Sequence, residues 1–381
     1  MYLHNFIGKR LALIERLIFK NKKNMKNLIY PFIAFLSCQL VFSQNSSVKI
    51  DMTNSNWNVP KDALFERFDN RNTLVLNSGR ATIKNLKFTN GTISVDVYSN
   101  SVRSFAGISF RKQNSNLEEV YMRMHKSNQV DAIQYTPIFN NESNWQLFRE
   151  YQAQVSFKNT GWNTLRIEVN NKNADVFVNE EKVMSIEHLR TNHSIGEIGL
   201  FALFSNKFSN FKVTHKEEVE NPEKRNNNPI NPNIITKWGI TKARPYKEEE
   251  LCFNDFLKET YMTVKTEESG LLPISKYLKK SSSGNFEKNI ENYTIVTTTV
   301  HANKKETKLF SFDYSDKIIV YFNGKAIFQG NNAFRAKGVQ YMGHMDINTN
   351  KIYLPLEKGV NKIHCVVIDK ANGWGIMAKL E

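Results

Sequence analysis

A chain of 381 residues is too long for one ordinary hydrophobic core, so its length predicts two domains. Hydrophobic residues at 40% and aromatic residues at 12% are typical of folded globular domains and exclude a disordered chain. The formal net charge is +15, but residues 1–44 hold seven Lys or Arg and one Glu, which leaves about +9 elsewhere. A mildly basic surface is usual for a solvated protein and also suits an acidic polysaccharide partner.

The amino-terminal 44 residues have the pattern of a secretory signal peptide. Four lysines between positions 20 and 26 precede the apolar run Leu28–Phe42, which is short for a membrane span, and a polar stretch follows. Met25 begins a compact version of the same signal and is an alternative start. Cleavage near Gln44 would leave a body without a transmembrane segment. The sequence therefore predicts export to the periplasm, the cell surface or the medium.

Residues 45–214 consist of short predicted strands with turn residues between them, and helical periodicity is almost absent. Asn90-Gly91 and Asn170-Asn171 are among the pairs that favour tight turns. Regularly spaced strands of this kind predict an antiparallel β-sandwich of the jelly-roll type. The predicted strands are Gly91–Tyr98, Phe105–Arg111, Glu118–His125, Asp131–Tyr135, Trp145–Glu150, Trp162–Val169, Asp175–Val178, Ile195–Leu203 and Phe208–Val213.

The stretch Glu118–Trp145 carries the richest chemistry in the chain. Strict alternation places four of its polar side chains on one face of a strand, namely Glu119, Tyr121, Arg123 and His125. The residues between them are mostly apolar and predict a face that packs against a core. Downstream, Gln134 offers amide hydrogen bonds, and Tyr135 or Trp145 offers a ring on which a sugar can stack. These seven residues are the predicted ligand-binding set, and the competing interpretation is an internally satisfied, salt-linked sheet face.

Several segments of this domain resemble the concanavalin A-like lectin/glucanase superfamily, and within it the laminin-G-like modules of secreted bacterial proteins. The resemblance covers roughly residues 60–214 and implies a sandwich that often binds or cuts glycans. The segments that carry it are Phe105-Ala-Gly-Ile-Ser-Phe-Arg111, Glu119-x-Tyr-x-Arg-x-His125, Gln134-Tyr135-Thr136-Pro137, Trp145-Gln-Leu147, Trp162-x-x-Leu165-Arg166-Ile167 and Gly196-x-Ile198-Gly199-Leu200.

Catalysis requires a different pattern from binding. A retaining jelly-roll glucanase needs two carboxylates about 5–5.5 Å apart, which one strand supplies at alternating positions, typically as Glu-x-Asp-x-x-Glu. The sequence has no such cluster, and the adjacent Glu118 and Glu119 point to opposite faces. Glu119 is the candidate catalytic carboxylate that remains, acting with a distant partner such as Asp131. Arg123 and His125 on the same face favour its ionised form over a protonated general acid.

Residues 215–250 change in composition and predict a linker, because Asn, Pro, Lys and Glu dominate and the prolines block both helix and strand. Trp238-Gly239 stands out within it. This pair is either the beginning of the next domain or a plug that docks on one of the domains, and docking is the preferred interpretation.

Residues 251–381 are again rich in strands and predict a second antiparallel sandwich, with a hairpin at Asn323-Gly324. Four segments resemble the galactose-binding-domain-like jelly rolls of secreted glycosidases over roughly residues 262–381, which implies an accessory module. They are Asp313-Tyr-Ser-Asp316, Val320-Tyr-Phe-Asn-Gly-Lys325, Leu354-Pro-Leu-x-Lys-Gly-x-Asn361 and Gly373-Trp-Gly375. The predicted strands are Tyr261–Thr266, Leu271–Ile274, Tyr293–His301, Thr307–Tyr314, Ile318–Phe322, Ala326–Gln329, Lys351–Leu356, Asn361–Ile368 and Gly375–Lys379.

Two further features concern cysteine and metal. Cys252 and Cys365 remain after signal removal, and the apolar alternation around Cys365 predicts a core thiol. A weak candidate for structural calcium has oxygen-ligand spacing, although Lys351 stands where the turn glycine of a calcium loop belongs. Its residues are Asp346, Asn348, Asn350 and Glu357.

The sequence as a whole predicts an exported, all-β, two-domain protein that binds polysaccharide or oligosaccharide. A nucleic-acid partner is disfavoured because the basic residues are scattered and the chain is predicted to be exported. The first alternative is a glycoside hydrolase or related sugar-cleaving enzyme that uses Glu119. The second is an adhesive or scaffolding surface protein. Retention of a glycan without its cleavage distinguishes the binding protein from both alternatives.

Overall fold

Antiparallel strands make up almost all of the regular structure in the computed structural model, which describes residues 47–216, 231–281 and 288–381. Buried and partly exposed side chains alternate along several of them, as in Gly91–Ser99. The predicted signal peptide and the middle of the predicted linker lie outside the described residues. The all-β prediction is confirmed.

The first sandwich contains fourteen strands in one continuous hydrogen-bonded sheet that folds into two layers. They are β1 (Ser47–Ile50), β2 (Trp57–Asn58), β3 (Leu64–Phe68), β4 (Arg71–Phe88), β5 (Gly91–Ser99), β6 (Phe105–Gln113), β7 (Asn116–Arg123), β8 (Ile133–Phe139), β9 (Glu142–Ser143), β10 (Gln152–Ala153), β11 (Gly161–Asn170), β12 (Asn173–Val178), β13 (Glu181–Ile186) and β14 (Gly196–His215).

The long strands β4 and β14 pass from one layer of this sandwich to the other. The pairing of β14 with β4 shifts register between Leu203 and Asn206, where the strand changes layer. Its first part pairs with β6 and begins the front layer, in the order β14-β6-β7-β8-β10. Its second part pairs with β5 and begins the back layer, in the order β14-β5-β11-β12-β13. Apolar side chains of both layers fill the core between them.

The second sandwich packs a sheet of seven strands against one of four, with a core between them that includes Trp238, Phe312 and Trp374. Its strands are β15 (Lys237–Ile240), β16 (Arg244–Pro245), β17 (Met262–Lys265), β18 (Leu271–Pro273), β19 (Asn292–Ala302), β20 (Glu306–Ser315), β21 (Lys317–Phe322), β22 (Lys325–Asn331), β23 (Asn350–Leu356), β24 (Gly359–Asp369) and β25 (Gly375–Leu380). One short helix, α1 (Phe253–Phe256), precedes β17.

The hairpin predicted at Asn323-Gly324 is present between β21 and β22. Both residues have positive φ, 46° and 86°, as a tight two-residue hairpin turn requires. Cys365 on the neighbouring β24 is fully buried, which confirms the predicted core thiol, and both Cys252 and Cys365 are free. Among the described residues, no helix is long and apolar enough to cross a membrane.

The predicted linker is shorter than expected at its carboxyl end. Strand β15 lies within residues 215–250, pairs with β17 and β19, and buries Trp238 to 1% exposure in the second core. Trp238 therefore belongs to the second sandwich and is not a docked plug. The sequence pattern did not predict this strand, because it is only four residues long and the residues on either side of it are polar or proline-rich.

Residues 46–381 form one compact unit, and the two sandwiches share an extensive polar contact. Asn140 Nδ2 donates to the backbone oxygen of Ser275 at 2.8 Å, and Arg190 pairs with Glu267 at 3.1 Å. Lys280 is buried and pairs with both Glu142 of the first sandwich and Asp369 of the second. A buried charge that lost these partners would be costly, so the contact fixes the two sandwiches together.

Candidate functional site

The candidate site lies on the outer face of the front layer, defined as the face that points away from the core of the first sandwich. Residues directly opposite one another in antiparallel strands share a face, so the register identifies its members. Tyr121 pairs with Gly107 on one side and with Gln134 on the other. Glu119 in the next row pairs with Ser109 and Thr136.

The Glu119 side chain is buried, with only 1% of its surface exposed. Arg80 of β4 holds it, because Arg80 Nε donates to Glu119 Oε2 at 2.8 Å. Strands β14 and β6 lie between Arg80 and Glu119. The residues of these two strands in the same row as Glu119 are Gly199 and Ser109, and both are small. These small residues leave room for the Arg80 side chain to cross the sheet. Burial raises the pKa of the Glu119 carboxyl, and Arg80 partly opposes that shift.

Tyr121 occupies the middle of the outer face. A Cβ atom at Gly107 would lie 2.6 Å from the Tyr121 Cβ, so only glycine fits beneath it. The Tyr121 ring lies 5.6 Å from the half-buried Phe201 ring, and Arg80 in turn lies 5.2 Å from the Phe201 centroid. Burial raises the pKa of Tyr121, so its hydroxyl stays protonated and is able to donate a hydrogen bond.

Arg123 extends the outer face toward one end of the strands. Its Nη1 donates to Asp131 Oδ2 at 2.5 Å, and the whole side chain is nearly buried. The guanidinium carbon lies 5.4 Å from the Trp145 ring centroid. The predicted strand over Trp145–Glu150 is absent, because Trp145 lies in a turn that crosses the end of the front layer. Trp145 keeps a partly exposed ring as a result.

Gln152 joins Gln134 to a histidine of the second sandwich. Gln152 Nε2 donates to Gln134 Oε1 at 2.5 Å and contacts His344 Nε2 at 3.1 Å. Since the Gln152 amide nitrogen is a donor, His344 Nε2 accepts, and this contact assigns the proton of the neutral ring to Nδ1. Burial, with Arg149 and Arg123, lowers the pKa of His344 to about 4.

Two hydrogen-bonding atoms of the outer face are buried without a protein partner among the described residues. They are Ser109 Oγ, beside Glu119, and Arg123 Nε. Buried polar atoms in folded proteins are nearly always hydrogen bonded, so each such atom calls for a physical explanation. Both lie on the face that also carries the partly exposed rings of Phe201 and Trp145.

Two residues of the predicted ligand-binding set have different positions from those expected. Tyr135 is opposite Val120 on the core side, fully buried, and its hydroxyl donates to Glu118 Oε2 at 2.7 Å. It therefore has no surface on which a sugar could stack. His125 lies in a 3-10 turn beyond the end of β7, where its ring contacts Phe105 at 5.3 Å.

The carboxylate pair suggested for hydrolysis is not assembled. Thr136 is the residue opposite Glu119, and Asp131 lies five positions before Thr136. Asp131 lies in the turn before β8, two positions before its first residue, and is therefore outside the strand that pairs with Glu119. Asp131 instead holds Arg123.

The residues proposed for calcium are also not brought together. Asn350 directs its amide Nδ2 toward Asp313, and Asp346 accepts from Asn348. Glu357 lies beyond the opposite end of β23 from Asn350, roughly 23 Å away at strand spacing, and pairs with Lys305. Within the described residues, no group of three His, Cys, Asp or Glu side chains is arranged to hold a metal ion.

Four residues of the outer face were missed in the sequence: Arg80, Phe201, Gln152 and His344. Arg80 lies on β4, whose alternation is interrupted where the strand changes layer. Gln152 and His344 come from short or irregular segments with no periodic signal. These four residues come close to Glu119 and Gln134 only through the tertiary fold.

A family model described as a 3-keto-alpha-glucoside-1,2-lyase-like domain matches residues 49–214, and this match ends one residue before the end of β14. Among solved structures, the carbohydrate-binding module CBM66 from Bacillus subtilis is similar at a TM-score of 0.34 and 12% identity, over 42% of this chain and 96% of that module. No curated protein matched the chain.

Two other solved structures are similar over a comparable share of the chain. A prokaryotic β-1,3-1,4-glucanase (lichenase) derived from a mouse hindgut metagenome has a TM-score of 0.33 and 9% identity, over 45% of this chain and 99% of that protein. The galectin LEC-6 of Caenorhabditis elegans has a TM-score of 0.28 and 13% identity, over 43% of this chain and 99% of the galectin.

Proposed function

We propose that this protein binds a saccharide on the outer face of the first sandwich. One observation carries the proposal. The same face holds buried hydrogen-bonding groups, two of which have no protein partner among the described residues, and the partly exposed rings of Phe201 and Trp145. Sugars are recognised by this combination, since their hydroxyls require fixed donors and acceptors and their C–H faces pack on aromatic rings. The family-model match to a domain named for a 3-keto-glucoside supports a saccharide ligand.

The charge state of the outer face favours a neutral sugar over an acidic one. Arg80 is paired with Glu119, and Arg123 is paired with Asp131. Neither guanidinium has to find a carboxylate or sulfate on a ligand. Recognition would rest on hydroxyl contacts with Tyr121, Ser109 and the charged pairs themselves.

Binding is tested by isothermal titration of the whole protein with methyl α-D-glucopyranoside, methyl 3-keto-α-D-glucopyranoside, a neutral glucan and a uronic-acid polysaccharide. We expect binding of at least one neutral sugar and a loss of roughly tenfold in affinity for Tyr121→Phe, the scale of one hydrogen bond. Tyr353→Phe is the matched control, since that ring is 74% exposed on the second sandwich. Failure of all four probes to bind would favour the adhesive or scaffolding alternative.

A second candidate function is cleavage of a 3-keto-glucoside by elimination. In that reaction a base removes the C2 proton and the C–H electron pair forms the C1–C2 double bond. The glycosidic oxygen leaves C1 with the bonding electron pair and takes up a proton from the protonated base, which gives the free alcohol. One base is sufficient, so the missing carboxylate pair is no obstacle. Glu119 is the candidate base, because burial raises the pKa of its carboxyl and so strengthens it as a proton acceptor.

Elimination is tested by incubating the protein with methyl 3-keto-α-D-glucopyranoside and measuring the release of methanol and the unsaturated keto sugar. We expect Glu119→Gln to abolish any such release. Glu197→Gln is the matched control, because Glu197 pairs with Lys112 near the protein surface. Binding without release in the wild type would leave saccharide recognition as the function.

We also propose that the protein is exported, on the basis of the signal-like sequence before residue 45. Expression of the full chain followed by amino-terminal sequencing of the product tests this directly. Export predicts a mature product that begins near residue 45 and fractionates outside the cytoplasm. A cytoplasmic product that retains Met1 or Met25 would contradict it.

A further inference from the structure

A segment of the second sandwich, residues 332–345 between β22 and β23, lies against the outer face of the first. Trp145 is enclosed by two of its rings, with centroid separations of 5.9 Å to Phe334 and 5.5 Å to His344, both nearly perpendicular. The Trp145 indole nitrogen donates to Asn372 Oδ1 at 3.1 Å, which is also in the second sandwich. The corner of the site at Trp145 is therefore built from both sandwiches.

The position of this segment is fixed by close contacts with Gln146. Gln146 Nε2 donates to the Met342 backbone oxygen at 2.8 Å, and the Met345 amide donates to the Gln146 backbone oxygen at 3.2 Å. Gly343 between them has a φ of 69°, and a Cβ there would lie 2.2 Å from Gln146 Nε2. Only glycine allows this approach, and His344 follows it directly.

Asp313 anchors the base of the same segment inside the second sandwich. Its carboxylate accepts from Asn332 Nδ2 at 2.7 Å and from the Asp346 amide at 2.8 Å, so both ends of the segment are bound to one buried side chain. A loop fixed at both ends and along its length presents its side chains in a defined geometry.

His344 has one ring nitrogen committed to the protein and one available. Nε2 accepts from Gln152, which places the ring proton on Nδ1. No described residue provides an acceptor within hydrogen-bond distance of Nδ1, and the residue is only partly buried. The ring thus carries a donor beside Trp145 and Arg123 that the protein itself does not use.

We propose that the 332–345 segment completes the saccharide site of the first sandwich, with His344 Nδ1–H donating to a sugar hydroxyl and Phe334 and Trp145 forming an apolar corner. This inference rests on the proposed function. The second sandwich is then a part of the binding site and not a separate accessory module. The family-model match, which ends at residue 214, contains only one side of that site.

Isothermal titration with methyl α-D-glucopyranoside and methyl 3-keto-α-D-glucopyranoside tests the inference on the whole protein. We expect His344→Ala and Phe334→Ala each to weaken binding at least tenfold, and His344→Gln, which keeps a donor, to recover part of that loss. Tyr353→Ala, on an exposed part of the second sandwich, is expected to bind as the wild type does. Circular dichroism confirms that each variant is folded.

Each result bears on the inference in a distinct way. A wild type that binds a probe, together with His344 and Phe334 variants that bind within twofold of it, would overturn the composite site and leave the proposed function intact. A wild type that binds neither of these probes, nor the neutral glucan or the uronic-acid polysaccharide, would overturn both. If His344→Ala does not fold, His344→Gln and Phe334→Ala decide the matter, because full-strength binding by both would also overturn the inference.

Discussion

Glu119 and Glu197 are glutamates of the first sandwich whose surroundings shift their pKa values in opposite directions. Burial raises the pKa of Glu119, whereas hydrogen bonding to Lys112 lowers the pKa of Glu197. A raised carboxyl pKa means that folding loses stability as the pH rises above the ordinary value of 4.5. The lowered pKa of Glu197 means that folding loses stability as the pH falls below 4.5 and through the lower pKa of the folded state.

Paired substitutions test this difference at the residue scale. Relative to wild type, we expect Glu119→Gln to be more stable at pH 7 than at pH 4, because the variant no longer buries a charge. Glu197→Gln should show the opposite trend. Thermal melts of the three proteins at both pH values provide the measurement, and equal trends for the two variants would contradict the assignment. A stabilising substitution that also removes function is typical of a residue kept for its chemistry.

His344 supplies a second prediction at this scale. Its pKa is lowered to about 4, so the unfolded chain takes up a proton near pH 6.5 while the folded protein resists. The wild type should therefore lose stability as the pH falls from 6.5 toward 4, by about 2–3 kcal/mol at pH 4.5 from this group. In urea unfolding, His344→Gln should not show this pH-dependent loss of unfolding free energy. A His301→Gln variant, at an exposed position, should retain it.

Some of the site could be predicted from local sequence, and some could not. Alternation along β7 correctly places Glu119, Tyr121 and Arg123 on one face, because a strand has a period of two wherever it is regular. The inclusion of both Gln134 and Tyr135 was inconsistent with that same rule, since adjacent strand residues point to opposite faces. The pairing of Gln134 with Tyr121 settles which one faces outward.

At the scale of the elements, regular strands were predictable and bent ones were not. Apart from β15 and β16, which fell in the predicted linker, the strands of the second sandwich begin and end close to their predicted positions because each remains within one sheet. Strand β4 was missed, and β14 was predicted as two separate strands. Both change layer along their length, and the bend interrupts the alternation on which the prediction depends.

The 332–345 segment carries the prediction at this scale. Asp313 accepts four hydrogen bonds, from Asn332, Asp346, Asn350 and its neighbour Tyr314. Asp313→Asn would turn one acceptor oxygen into a donor facing other donors, so we expect a loss of roughly 2–4 kcal/mol in unfolding free energy.

Hydrogen exchange should show faster opening of the 332–345 segment in the Asp313→Asn variant. Asp346→Asn is the control within the same loop, because the exposed Asp346 side chain accepts hydrogen bonds from Asn348 and takes no part in the anchor at Asp313. Unchanged protection of the segment in Asp313→Asn would contradict the role given to this anchor.

At the scale of the whole molecule, the contact between the sandwiches makes them one folding unit. Lys280 is 5% exposed and lies between Glu142 and Asp369. Lys280→Met would leave two carboxylates buried without their cation, at a cost of about 3–5 kcal/mol. Burial and Asp369 already raise the pKa of Glu142, so the variant should regain stability as the pH is lowered from 7 to 5.

Chemical unfolding of Lys280→Met at both pH values measures this effect, with Lys305→Met as the control at an exposed ion pair. We expect the wild type to unfold in a single transition because the sandwiches are joined by buried charge. Two separate transitions in the wild type would show that the contact is weaker than the geometry indicates.

The central claim is that a saccharide binds where the two sandwiches meet at Trp145. The chain has five tryptophans, and the other four, Trp57, Trp162, Trp238 and Trp374, are no more than 9% exposed. Titration with methyl 3-keto-α-D-glucopyranoside or methyl α-D-glucopyranoside, followed through the indole N–H resonances, tests the claim most directly, with Trp145→Phe to assign the signal. We predict that the Trp145 resonance moves to saturation while the other four stay in place. Sugar binding that leaves Trp145 unmoved would contradict the account.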